Sequence, residues 1–150
     1  VEEYIEGREL YIGVMGNERL TTLPVWELNF GTLPDVMSIA TRKVKWDRKY
    51  QVRHGIGTGP AHDLPPGLSP RLATLVRRIY RALSLSGYAR IDLRLKPDGG
   101  VYVLEANANP NLAQIEDFAT SALACGMGYD AVLERILQYG QNYDAAWRQS

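Results

Sequence analysis

The sequence predicts an α+β fold, an antiparallel β-sheet with flanking helices. Three observations predict it. Strand-like segments separated by turn signals fill the first third of the chain. A strongly periodic helical stretch lies near its middle, and two alternating strands joined by "KPDGG" follow. Two further helical segments close the chain, an order of strands and helices that does not alternate as a parallel sheet would require.

Element by element, "RELYIGVMGN" alternates and ends in Gly16-Asn17, a turn signal, and "RLTTLPVWEL" follows, so residues 8 to 28 form a hairpin. Pro24 cannot donate to a ladder, which places the second strand at an edge or gives it a bulge. Residues 29 to 38, with Gly31 and Pro34, read as a loop, and "IATRKVKW" (39 to 46) as a strand. From Asp47 to Pro66 the chain reads as one long irregular loop, of the kind that often binds ligands. Ser69 then serves as an N-cap with Pro70 at the first helical position. Leu72, Leu75, Val76, Ile79, Tyr80 and Leu83 form an apolar stripe, and Gly87 is the stop. Arg71, Arg77, Arg78 and Arg81 flank the stripe as a solvated face. "YARIDLRL" and "GVYVLEAN" are two more strands, and helices at about 113 to 125 and 130 to 147 follow, with Gly140 ending or kinking the last.

The 150 residues have the length of one domain, with 45% hydrophobic and 23% charged residues, a globular composition. Lys plus Arg and Asp plus Glu are both 17, a balance that gives no support to nucleic acid or an anionic membrane as partner. One cysteine, Cys125, excludes an internal disulfide and a cysteine metal cluster, and two histidines make a zinc site unexpected. No apolar run approaches the roughly 18 residues that span a bilayer. The chain opens on "VEEYIEG" without an initiator methionine or signal-peptide pattern, so it is expected to be a piece of a longer protein.

The chemistry gathers on the last two strands. With Asp98-Gly99 as a two-residue turn, paired positions sum to 197, so Asp92 opposes Glu105 and Arg90 opposes Asn107. A three-residue loop would shift the faces and undo this pairing. The other face would carry Ala89, Ile91, Leu93, Leu95, Tyr102, Leu104 and Ala106 as core. Two carboxylates directly opposite, with Cβ atoms about 5 Å apart, repel, and a shared proton, an arginine or a divalent cation would offset this. Two carboxylates and an amide oxygen are a hard donor set of the kind magnesium accepts, with Arg90 suited to a phosphate. The competing reading is a ladder of Arg90–Asp92 and Arg94–Glu105 salt bridges on a solvated face.

"GYARIDLRLKPDGGVYVLEANANP" resembles the last strands of the ATP-grasp superfamily, in particular D-alanine–D-alanine ligase-like carboxylate–amine ligases. There an R-x-D strand precedes a D-G turn and a strand ending E-x-N. "VEEYIEGREL" resembles the hinge strand of that family, and "RKVKW" its segment bearing a phosphate-contacting lysine. The resemblance covers nearly the whole chain and implies that residues 1–150 are a single domain, the C-terminal portion of an ATP-grasp domain whose N-terminal lobe is a partner missing from this chain. It implies ATP as cofactor, with Mg2+ or alternatively Mn2+ held by Asp92, Glu105 and Asn107. Arg90 would steady the transferred phosphoryl group. The main chain at Glu3, Tyr4 and Ile5 would meet the adenine edge with Glu2 nearby, Glu9 would take the ribose hydroxyls, Leu104 would pack on the adenine and Lys45 would contact phosphate. The implied chemistry is ATP-dependent carboxylate–amine (or carboxylate–thiol) ligation through an acyl phosphate, with small-molecule substrates, in the cytoplasm. A homodimer is left open.

The chain departs from that pattern twice. Pro110 is followed by Asn111-Leu112 where the D-alanine ligases have P-G, which argues against D-alanine and points to Asn109, Asn111, Arg53 and His54 as places for acceptor contacts, with a plain surface role the better reading of Arg53 and His54. The glycine-rich loop and lysine of the other lobe have no counterpart, and "GIGTG" at 55 to 59 matches no phosphate-binding pattern. The fragment alone is therefore expected to be inactive. A non-catalytic nucleotide- or metal-binding module retaining the fold is the alternative.

Overall fold

The structure, a computed structural model, describes residues 3–32, 44 and 47–143. The first strand, β1 (Arg8–Met15), is buried from Glu9 onward on both faces, as a central strand must be. After a turn at Gly16 the chain returns as β2 (Thr21–Thr22), pairing with Val14 and Met15, and β3 (Trp26–Asn29), pairing with Glu9 to Tyr11. The predicted hairpin thus forms, and Pro24 lies where its return strand is split in two. Gly13 lies beneath this break, where a Cβ would come within 2.6 Å of Leu23 Cδ1 and 3.0 Å of the Phe118 ring.

The strand expected at 39 to 46 lies outside the described residues except for Val44, which is buried and helical rather than extended. The long loop expected from Asp47 to Pro66 is not a loop throughout. Helix α1 (Arg48–His54) starts at Asp47, whose side chain accepts from the Tyr50 amide, and ends at Gly55 in the left-handed region. Strand β4 (Gly57–Pro60) then pairs with β3 at the sheet edge. Three of the four residues in its Gly-Thr-Gly-Pro sequence disfavour a strand, so the pairing is imposed by tertiary context.

Helix α2 (Leu68–Ala82) begins one residue before the predicted cap, with Gly67 as N-cap, and stops at Leu83 before the expected Gly87. Its buried Leu68, Leu72, Val76 and Tyr80 pack on Leu10, Ile12, Val14, Ala89, Ile91, Leu93 and Leu95. Strands β5 (Tyr88–Leu95) and β6 (Val101–Asn107) form the second hairpin, and the sheet runs β4-β3-β1-β5-β6, with β2 pairing β1. Helices α3 (Asp117–Ala124) and α4 (Tyr129–Gln141) close the opposite face at one end, where Phe118, Ala122 and Val132 meet Met15 and Leu23. The α+β expectation holds. No helix among the described residues is long and apolar enough to cross a membrane.

The turn of the second hairpin differs from the expected one. Gly99 donates to the Lys96 carbonyl and Lys96 to the Gly100 carbonyl, so the loop has three residues, Pro97 to Gly99, with Gly99 at φ +84. Leu93 to Leu95 accordingly pair with Val103 to Val101 on a sum of 196. A bulge then adds Leu104 as an extra residue, and from Asp92 onward the pairs sum to 197. Two departures cancel, and Asp92 opposes Glu105 as expected. The core face is corrected beside the loop. Tyr102 stands opposite Arg94, while Leu104 is the bulged residue, and both are more than 40% exposed.

Candidate active site

The sheet face opposite α2 carries Arg90, Asp92 and Arg94 on β5, flanked by Glu9 and Tyr11 on β1 and by Glu105 and Asn107 on β6. Alternation places them there, because paired residues share a face and the rows repeat every two residues. Arg90 grips Asp92 with both ends of its fork, Nε to Oδ1 at 2.7 Å and a terminal nitrogen to Oδ2 at 2.9 Å. A second terminal nitrogen lies 3.7 Å from Asp117 at the start of α3, and the guanidinium stands 4.6 Å from the centre of the Tyr11 ring. Burial draws the Arg90 pKa down, but hydrogen bonds and charge from Asp92 outweigh it and leave it raised. Arg90 is therefore a fixed cation at any working pH.

The salt-bridge ladder forms only in part. Arg90–Asp92 is present, but Arg94 bridges to Glu9 at 2.8 Å rather than to Glu105. Among the described residues Glu105 has neither a hydrogen-bonding nor an ion-pair partner and is exposed. Asn107 Oδ1 accepts one bond, from the Asn109 amide at 2.9 Å. Among the described residues no three His, Cys, Asp or Glu side chains converge on a metal site, so the donor set here is two carboxylates and one amide. Each of these oxygens carries two lone pairs. One bond to each Asp92 oxygen and one to Asn107 leave capacity on all three groups, and the hard oxygen set fits a magnesium ion.

The remaining predicted residues fall as follows. Glu3, Tyr4 and Ile5 precede β1, and Tyr4 lines a cleft of about 740 Å³ with Gly7, Phe30, His62 and Lys96, a volume suited to a small molecule. Asp92 and Glu105 lie outside this cleft, whose own carboxylates are Glu6, Glu27 and Asp63. Glu9 is 3% exposed, with one oxygen taken by Arg94 and the other by the Tyr11 hydroxyl. Leu104 is on the edge strand. Asn109 accepts from the Tyr88 hydroxyl at 2.7 Å, and Asn111 accepts from the Ala113 amide, so both shape the loop after β6. Arg53 is exposed in the last turn of α1, and the His54 ring lies tilted against Tyr50 with centroids 4.5 Å apart. Glu2 and Lys45 lie outside the described residues.

Sequence reasoning missed Tyr11, Asp117 and the Arg94–Glu9 pair. Tyr11 shares a strand face with Glu9 two residues away, so alternation could have found it. Asp117 reaches Arg90 only through the packing of α3, which leaves no local signal.

The family model for the D-ala D-ala ligase C-terminus matches residues 1–138. The D-alanine–D-alanine ligase of Desulfotalea psychrophila is 31% identical over 145 residues, 93% of this chain and 41% of that protein. The uncharacterized protein y4sG of Sinorhizobium fredii is 33% identical over 91% of this chain and 39% of its own length. Among solved structures, D-alanine–D-alanine ligase from Bacillus anthracis complexed with ATP superposes with a TM-score of 0.69 at 26% identity, covering 92% of this chain and 39% of that one. The chain thus spans about two fifths of the relatives it matches. Sheet, helices and sequence agree, and the chain belongs to the D-alanine–D-alanine ligase C-terminal family, with the ATP-grasp fold of its C-terminal lobe.

Proposed function

We propose that these residues form the C-terminal part of an ATP-grasp ligase that joins a carboxylate to an amine. The observation that carries the reading is the direct opposition of Asp92 and Glu105 across β5 and β6, with Glu105 unpaired among the described residues and Arg90 fixed beside them. Nothing in folding alone requires like charges at facing positions. The names of the relatives and the ATP of the Bacillus anthracis complex support the same reading.

In this reading Asp92, Glu105 and Asn107 hold magnesium, which when bound neutralises charge on the ATP phosphates. Arg90, kept rigid by Asp92 and Tyr11, steadies the transferred phosphoryl group. A substrate carboxylate oxygen attacks the γ-phosphorus, ADP leaves, and an amine then displaces phosphate from the acyl phosphate. Positioning and fixed cations do most of this work, so no acid–base triad is needed. The main chain at Glu3 to Ile5, beside the cleft, takes the adenine edge with Glu2, and Glu9 takes the ribose. Leu104 adjoins the adenine from the bulge, and Lys45 contacts phosphate. Asn109 and Asn111, in the loop after β6, read the acceptor with Arg53. The other lobe of the clamp is supplied by a longer chain of which residues 1–150 are one domain.

The test is ATP turnover by the full-length protein with a panel of amino-acid substrates. Turnover is expected to require Mg2+ and to fall by at least about a hundredfold in Glu105→Gln, with the thermal transition unchanged. Undiminished turnover in that variant would remove the metal assignment. A wild-type protein that binds ATP without consuming it would leave a binding module instead.

A further inference from the structure

A buried cation separates the hinge segment from the carboxylates. Arg94 and Glu9 each retain 4% of their side-chain exposure. The Arg94 guanidinium donates to Glu9 Oε2 at 2.8 Å and to the Gly7 carbonyl at 2.6 Å, while the Tyr11 hydroxyl donates to Glu9 Oε1 at 2.8 Å. The rings of Tyr4 and Phe30 each lie 5.8 Å from the guanidinium. Arg94 therefore ties together the end of the hinge, the first residues of β1 and the strand that carries Asp92.

Stability does not account for an arginine here. Taking a guanidinium and a carboxylate out of water costs several kcal/mol per ion, and apolar replacements of buried pairs are often neutral or stabilising. What two donors on two oxygens do supply is orientation. They fix the plane of the Glu9 carboxylate and leave one lone pair on each oxygen.

We propose that Arg94, assisted by Tyr11, is a positioning residue that aims the Glu9 carboxylate at the hydroxyl groups of a nucleotide ribose. Because Glu9 is almost closed to solvent, the ribose meets it when Tyr4, a residue 46% exposed, swings away from Arg94. Arg94 holds the carboxylate in place through that movement by its bond to the Gly7 backbone. The inference rests on the nucleotide reading above, and its test separates the two.

Calorimetric titration of the full-length protein with ATP and with 2′,3′-dideoxy-ATP, both with Mg2+, gives a ratio of Kd values that reports ribose recognition and no other part of the site. The wild type is expected to favour ATP by about tenfold, the worth of two hydroxyl hydrogen bonds. In Arg94→Met the ratio falls to within about twofold of one while the dideoxy compound binds nearly as before. A wild-type ratio in Arg94→Met, or equal binding of the two nucleotides by the wild type, would overturn the proposal. No ATP binding by the wild type would overturn the nucleotide reading and this proposal with it. If Arg94→Met does not fold, Tyr11→Phe decides, since it removes one hydroxyl. A drop of about threefold in its ratio supports the proposal and an unchanged ratio overturns it.

Discussion

Tyr80, the last buried residue of α2, donates its hydroxyl to the Gly16 carbonyl at 2.8 Å and so ties the core helix to the turn after β1. Burial, with a smaller contribution from Tyr139, pushes its pKa up to about 12. The folded state then favours the neutral phenol, while the unfolded chain begins to lose that proton near its ordinary value of about 10. Stability should be flat with pH below that point and fall as pH rises through the window from about 10 to about 12. Tyr11, raised first by burial and then by Glu9, adds to the same fall from its start. Urea denaturation across pH 8 to 12, at roughly half-unit steps, checks this. Tyr80→Phe should lose about 1 kcal/mol at neutral pH, the hydrogen bond, and show a shallower alkaline decline. An identical alkaline decline in that variant would show that Tyr80 keeps its proton no longer in the fold than out of it.

The hairpin of β5 and β6 is the element on which the site depends. Its loop places Gly99 at φ +84, where an added Cβ would meet nothing within 4 Å. Gly99→Ala should therefore cost about 1 kcal/mol through backbone strain alone, measured by urea denaturation. A cost near zero would mean the loop can relax to a conformation without the left-handed residue. The same hairpin shows what the sequence made legible. Opposition of Asp92 and Glu105 followed from the turn signal and from strand alternation, both local. The loop length and the bulge at Leu104 did not, because one extra residue in the loop and one in the strand leave the same pattern around the carboxylates. The edge strand Gly57–Pro60 and the short helix before it were hidden for another reason: few apolar residues and a partner strand nearly thirty residues away in sequence. Asp117 at Arg90 was invisible because only the docking of α3 brings it there.

At the scale of the whole molecule, charge is balanced at 17 of each sign, yet it is not evenly spread. One face of the sheet carries Arg90, Arg94, Glu9, Asp92 and Glu105 in facing rows, while the other is closed by the apolar stripe of α2. The core helix supports the strands from behind, and the charged rows stand on the front beside α3. The relatives this chain matches are more than twice as long, and the proposed function draws on a second lobe that these residues do not include. The central claim is that Asp92, Glu105 and Asn107 hold a divalent cation on the phosphates of ATP. It is tested most directly by electron paramagnetic resonance titration of Mn2+ into the full-length protein with ATP present. The account predicts that Glu105→Gln and Asn107→Ala each weaken Mn2+ binding by at least about tenfold while their folds are retained. Binding as tight as wild type in both variants would contradict it.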